Sequence, residues 1–369
     1  MSDVKRRLRP LCLCLLALGL ILGGVRPADA ALARKGSVNL TDAYNPQPAG
    51  DDIVLPMPCG LSMVFKLVAV PAKGFLWDMP VRPGLDDSAN AERAFYDRRY
   101  NAALSGPFAL EDLPAAWRKP APQGQNYYYL IAKYEVTNLQ WQAVMDASCP
   151  DSQNLPADAA RPVTDVSWYD AVDFTRRYTA WLLKNAPDAL PRFAGDSRNV
   201  GFVRLPTETE WEYAARGGQT AGSQQLLQED FFPLPQGDGK GDYAVYRPEG
   251  AAHIPESTAR IGSRKPNPLG LYDTAGNAAE MVLDSFRFSL AGRLHGSAGG
   301  FVRKGGSFLS GDAEILPGRR EETPFFLADG PAHARDLGFR PVISGINTPG
   351  GNRPEELLAE WNKAGESMT

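Results

Sequence analysis

Four cysteines, three histidines and a scatter of carboxylates are the side chains able to do covalent or metal chemistry in this 369-residue chain. Cys12 and Cys14 sit in an apolar run from Leu11 to Val25, behind Lys5, Arg6, Arg7 and Arg9 and ahead of Ala28-Asp29-Ala30. A basic start, a short apolar stretch and a small-x-small cleavage site read as a secretory signal peptide over residues 1–30, cut near Ala30. The run is short for a membrane span, so the chain is expected to be exported to the periplasm without a retained anchor. Neither cysteine is placed as a lipoprotein cysteine would be. Cys59 and Cys149 remain. In an oxidising compartment they form either one bridge or two buried thiols, and their spacing does not choose between these. His253, His295 and His333 are far apart and lack metal-site spacing, so each reads as a surface residue.

Hydrophobic residues make up 43% of the chain and charged residues 22%, enough for a sizeable core. With 39 basic against 43 acidic residues the formal charge is -4, which argues against a broad nucleic-acid surface. The 36 glycines and 31 prolines favour a loop-heavy fold over a helical bundle.

Several elements can position the chemistry. Residues 31–58 are polar and Pro/Gly-marked, an extended N-terminal arm. Leu61 to Val70 has strand character. Residues 80–125 read as an insertion on the surface, with one helix over Asp87 to Asn101. Tyr127 to Glu135 is an aromatic strand. Thr137 caps a helix over Asn138 to Asp146, and Ser167 caps another over Trp168 to Lys184. In the latter, Ala171, Val172, Phe174, Tyr178, Trp181 and Leu182 form a stripe of helical period. Thr207 and Glu210 have the spacing of a capping box for a helix that stops at Gly217-Gly218. Leu337 to Ile343 reads as a final strand. In the C-terminal tail, 345–369, Asn347 to Gly351 is a flexible turn and Glu355 to Lys363 a short helix.

The order of the local motifs carries a resemblance. Tyr134-Glu135-Val136-Thr137-Asn138 is followed by Val166-Ser167-Trp168-Tyr169-Asp170-Ala171 and by Arg204-Leu205-Pro206-Thr207-Glu208-Thr209-Glu210-Trp211-Glu212-Tyr213-Ala214-Ala215-Arg216-Gly217-Gly218. Then come Asn267 to Asp273, Gly276-Asn277 with Glu280, Lys304-Gly305-Gly306-Ser307-Phe308 and Leu337-Gly338-Phe339-Arg340-Pro341. This pattern resembles the formylglycine-generating enzyme, or sulfatase-modifying-factor, family. The resemblance implies one α+β domain over 59–344, related to the C-type lectin fold and with little regular secondary structure.

Enzymes of that family oxidise a substrate cysteine through a cysteine pair just after the Gly-Gly-Ser-aromatic motif. Here Gly306 to Pro324 contains no cysteine. Ser310 stands close to the first position, and a hydroxyl is a poor ligand for the soft copper that thiolates bind. Formylglycine chemistry and copper are therefore not expected, and no catalytic residue is assigned. Asp312, Arg319, Arg320, Glu321 and Glu322 place charge near the family's groove. They read as a solvated loop or as binding groups. The resemblance also implies a calcium site, with side-chain oxygens from Asp273 and Glu280 and backbone carbonyls from Gly276 and Ala278. A second family calcium site is not expected, because Val245 stands where it needs Asn. Arg340 is expected in a buried structural ion pair, and Trp211 and Tyr213 in the core.

The function implied is that of an exported, non-catalytic regulator that promotes activation of a membrane Ser/Thr kinase, through its periplasmic part, to control type VI secretion. The alternatives are an exported enzyme of other chemistry, such as siderophore chromophore maturation, and a calcium-dependent glycan- or peptidoglycan-binding module.

Overall fold

The run Ser62–Pro71 is apolar and β-branched on both faces, and such a run makes a strand covered on both sides. It pairs over seven residues with the aromatic run Asn126–Ala132, from Phe65 opposite Ala132 to Pro71 opposite Asn126. These two strands are the centre of the fold. The computed structural model describes residues 40–366 apart from 73, 75, 77–78, 86–93, 119–125, 147–148, 152–153, 222–231, 233 and 252–253. The proposed signal peptide and His253 lie outside the described residues.

In chain order the strands are β1 (Ile53–Pro56), β2 (Ser62–Pro71), β3 (Pro80–Val81), β4 (Ala102–Ala103), β5 (Asn126–Ala132), β6 (Phe202–Arg204), β7 (Ala279–Ser285), β8 (Ser289–Leu290), β9 (Arg293–Leu294), β10 (Phe301–Lys304), β11 (Glu321–Thr323), β12 (Phe326–Leu327), β13 (Gly330–Pro331), β14 (Leu337–Gly338) and β15 (Val342–Ser344). The helices are α1 (Ala94–Asp97), α2 (Asn138–Met145), α3 (Trp168–Asn185), α4 (Glu208–Ala215) and α5 (Arg353–Glu366). One sheet has the order β1-β2-β5-β15-β6 and a second has β11-β10-β7-β14. The fold is α+β. Regular structure is more extensive than the expected sparse content, because long-range pairing recruits short segments that carry no periodic signal of their own. No helix among the described residues is long and apolar enough to cross a membrane.

Local sequence sets the three helix starts. Thr137, Ser167 and Thr207 each accept from the backbone N–H three residues on, and Gln140, Asp170 and Glu210 return the bond to the cap. On α3, Ala171, Phe174, Tyr178 and Leu182 are buried in the main core, while Val172 and Trp181 pack at its edge. Trp141 stacks on Phe174 at 5.7 Å.

Four expectations need correction. The segment 40–58 is no free arm: β1 pairs with β2, and Ala43, Leu55 and Met57 are buried in the core. The segment 80–125 is no surface excursion, since Leu85, Tyr100, Leu104, Phe108 and Leu113 are buried; its described α-helix is α1, with short 3-10 turns at Leu110–Asp112 and Ala115–Trp117. Leu337 to Ile343 is two strands in different sheets, β14 beside β7 and β15 between β5 and β6. Arg340 divides them by turning inward, and Pro341 follows it without an N–H to donate. Lastly, the turn at Asn347 to Gly351 is tied down, because Gly350 N–H donates to Asp196 Oδ2.

Candidate functional site

β10 delivers the chain to Gly305 and Gly306, both at positive φ (84° and 65°). A Cβ on Gly306 would stand 2.9 Å from the Glu314 carbonyl oxygen, so the turn requires glycine there. Ser307 Oγ then donates to Asp336 Oδ2 at 2.8 Å, and Phe308 is buried. Ser310, at the place of the family's first cysteine, accepts from Ser307 N–H through its hydroxyl at 3.0 Å and from Arg247 N–H through its carbonyl at 2.9 Å. Its role here is to close a turn.

Beside this turn opens a groove of about 670 Å³, lined among others by Arg247, Glu249, Leu309, Asp312, Glu314 and Arg319. Asp312 accepts from Glu249 N–H at 3.1 Å and Tyr246 OH at 3.0 Å. Those bonds, with the backbone donor first, hold its carboxyl below the usual range. The groove thus presents charges of both signs beside apolar Leu309.

Among the neighbouring charges, the solvated-loop reading is corrected for Arg319 and Arg320, whereas Glu321 is half-exposed and Glu322 exposed. Arg319 and Arg320 are buried. Arg319 pairs with Asp97 and donates to Ala313 O, while Arg320 Nε donates to Glu208 Oε1 at 2.6 Å. Glu321 accepts from Arg303 at 2.5 Å, and Glu322 from Gly300 N–H at 2.8 Å. Burial makes each guanidinium need a partner, which distant elements supply.

The segment around Asp273 to Glu280 is a second polar centre. Glu280 takes a two-point bond from Arg340 (Nε 3.0 Å, Nη2 2.7 Å), and its Oε2 also accepts Trp211 Nε1–H at 2.7 Å. Arg340 is fully buried, as expected of a structural pair, and Trp211 and Tyr213 are core residues. Glu135 was not singled out from the sequence. It accepts from Asn277 Nδ2 at 2.6 Å and Ala278 N–H at 2.8 Å. A carboxylate inside an otherwise buried strand end was the signal that could have found it. Burial, then the charges of Asp273 and Glu280, pushes the Glu135 carboxyl well up. Asp273 is pushed up to about 6, chiefly by burial. Its Oδ2 accepts Gly262 N–H at 2.7 Å, whereas its Oδ1 is buried without a hydrogen-bond partner. Gly276 has φ +68°, and a Cβ there would meet the Val245 carbonyl at 2.1 Å.

This geometry bears on calcium in two ways. Three buried carboxylates around one guanidinium, with one oxygen uncommitted, fit an added cation. Glu280, however, would have to share oxygens already held by Arg340 and Trp211. Among the described residues no group of three or more His, Cys, Asp or Glu side chains converges as a metal cluster; the implied set draws half its ligands from backbone carbonyls.

Cys59 and Cys149 are joined in a disulfide. His295 accepts from Ser297 N–H, and exposed His333 pairs with Asp165 at 2.6 Å. That pair raises the His333 pKa and gives it no cleft to act in.

The sulfatase-modifying factor enzyme 1-like domain model matches residues 102–344. The chain belongs to this family. Among its relatives are the chaperone protein LppX of Paenibacillus barcinonensis, 30% identical over 41% of this chain and 60% of that protein, and the formylglycine-generating enzyme of Streptomyces coelicolor, 32% identical over 48% and 51%. The chain thus spans about half to three-fifths of these curated relatives. The Treponema denticola variable protein 1 structure superposes with a TM-score of 0.53 at 23% identity, covering 81% of this chain and all of that one. PvdO from Pseudomonas aeruginosa gives 0.50 at 17%, covering 79% and 97%. At such identities these likenesses show the fold alone. The family member described here has no cysteine pair after Gly306-Ser307-Phe308, and its Cys59 and Cys149 are bound to each other. It is a family member without the oxidase machinery.

Proposed function

We propose that this chain is an exported family member that binds a ligand or partner in place of generating formylglycine. The groove beside Ser310 carries this reading: a cavity of about 670 Å³ opens next to the segment in which the family carries its cysteine pair, with Arg247, Glu249 and Glu314 in its lining. That size and mix suit a small polar molecule. The groove therefore favours a role with a small-molecule substrate, such as maturation of a siderophore chromophore.

A second reading is the activation of a membrane Ser/Thr kinase controlling type VI secretion. Its support is an exposed apolar patch of Tyr169, Phe326 and Leu327, with Tyr169 and Phe326 rings 5.3 Å apart, of the kind partners cover. The chaperone name of the Paenibacillus relative points the same way. A deletion strain complemented with groove variants (Arg247→Glu, Glu314→Lys) or patch variants (Phe326→Ser, Leu327→Ser) separates the two. Siderophore fluorescence and kinase phosphothreonine are measured in parallel. Loss of siderophore with the groove variants alone is expected; loss of phosphothreonine with the patch variants, siderophore being intact, overturns the first reading.

Calcium at Asp273, Gly276, Ala278 and Glu280 is part of the proposal. The ion would supply positive charge to Asp273 Oδ1 and its carboxylate neighbours. Melting temperature should rise with calcium and fall with EGTA, and an unchanged value removes the site.

A further inference from the structure

The β3–β4 ribbon lies against α4 and is fastened there by backbone. Gly84 N–H donates to Glu212 Oε1 at 3.0 Å, and Arg216 Nη2 donates to Gly84 O. Between ribbon and helix is a separate cavity of about 520 Å³. Met79, Val81, Pro83 and Tyr213 are apolar parts of its wall, Thr209 lines it from α4, and Arg82, an exposed residue, also belongs to the lining. The volume lies within the range of small-molecule sites, and an apolar wall with a few polar groups is their usual composition.

The polar floor is already satisfied. The Glu212 carboxylate receives Gly84 N–H, Arg216 Nε at 3.0 Å and Lys304 Nζ at 3.0 Å. A ligand is not needed to complete that network, so the floor is rigid before anything binds. Its charges balance: Arg216, Lys304, Arg319 and Arg320 are bonded into it against Asp97, Glu208 and Glu212, and Asp284 accepts Glu208 N–H beside them. The exposed Arg82 in the lining is thus the charge added to a neutral floor, and the low-dielectric wall beside it favours an anion there. Met79 to Pro83 also precede residue 102, where the family match begins, so this wall is additional to the matched domain.

We propose that this cavity binds a small amphipathic anion, an aryl- or alkyl-carboxylate, with its apolar body against Met79, Val81, Pro83 and Tyr213 and its acid group at Arg82. The site is distinct from the groove beside Ser310 and does not depend on the function proposed for it.

The test uses the purified chain and 8-anilinonaphthalene-1-sulfonate fluorescence, with competition by 4-phenylbutyrate, decanoate, 4-phenylbutanol and decylamine. One saturable site is expected, displaced by a carboxylate and not by the alcohol or amine. Decanoate as the better competitor assigns an acyl ligand, and phenylbutyrate an aryl one. Thr209→Trp fills the cavity and should weaken binding by at least about tenfold with the melting temperature kept. Arg82→Glu, on the exposed rim, should weaken the anions by a similar factor, and it keeps the test sound if Thr209→Trp fails to fold. Binding unchanged in Arg82→Glu, or displacement by the alcohol or amine as readily as by the acids, overturns the proposal.

Discussion

The Cys59–Cys149 bridge gives the sharpest stability prediction. It joins the turn before β2 to the segment after α2, across a sequence separation of 90. Cys149 is exposed and Cys59 half-buried, so replacing both with alanine leaves no core cavity. The effect must come mainly from the unfolded chain, which regains the freedom that the closed loop denied it. Loop-closure entropy for that length amounts to ~4.5 kcal/mol, and measured bridges more often give about 2–4 kcal/mol. The double variant Cys59→Ala/Cys149→Ala should therefore lose about 2–4 kcal/mol in guanidinium unfolding. Its m-value should rise, since an uncrosslinked ensemble exposes more surface. Wild type in reductant should converge on the variant. A loss below about 1 kcal/mol, or an unchanged m-value, refutes the reasoning and means that contacts around α2 already hold the unfolded chain together.

Two further outcomes follow from buried charge. Burial, with Glu208 adding repulsion, raises Asp284 from 3.8 to about 6. A raised acid costs the folded state nothing below pH 3.8, and the cost grows until the pH passes about 6. Asp284→Asn keeps an acceptor for Glu208 N–H and should stabilise by up to about 3 kcal/mol at pH 7 and by little near pH 4; urea unfolding at both values checks it, and an equal effect at both refutes it. Arg340→Met leaves Glu280, Glu135 and Asp273 without their shared cation. It should cost about 3–5 kcal/mol by urea unfolding at neutral pH, and a near-neutral result would mean that the carboxylates protonate without strain.

What the sequence made legible was local. Thr137 with Gln140, Ser167 with Asp170 and Thr207 with Glu210 announce helix starts because a capping box is complete within four residues. The stripe on α3 is similarly self-contained. The site was legible where one residue type decides it: no cysteine near Ser310 means no thiolate pair, and buried Arg340 needed an ion partner. Other features were hidden because their causes lie far away in sequence. Arg319 and Asp97 are 222 residues apart, and Lys133 and Asp52 are 81 apart. Nothing periodic marks such a pair, so Arg319 and Arg320 looked like loop charges. The segment 40–58 looked like an arm for the same reason, since Asp52 reads as a solvated charge until Lys66 and Lys133 are brought beside it and allow its burial.

These distant pairs explain how a member without the oxidase machinery keeps the shape of the family. A buried ion pair adds little over a well-packed apolar isostere, but removing one partner strands a charge. Arg320 with Glu208 ties the segment after Ser310 to α4, Arg319 with Asp97 ties it to the chain before β4, and Arg340 with Glu280 ties β7 to the turn between β14 and β15. None of the three contacts involves a cysteine or the position of one. The absence of a cysteine pair therefore leaves these three pairs intact, and the first two hold the segment after Ser310 against the rest of the fold. If the groove binds a ligand as proposed, lining residues such as Arg247 and Glu249, which are exposed, can change without touching these pairs. Substitution at Arg247 or Glu249 should accordingly leave the unfolding midpoint unchanged, while substitution at Arg320 or Arg340 should lower it.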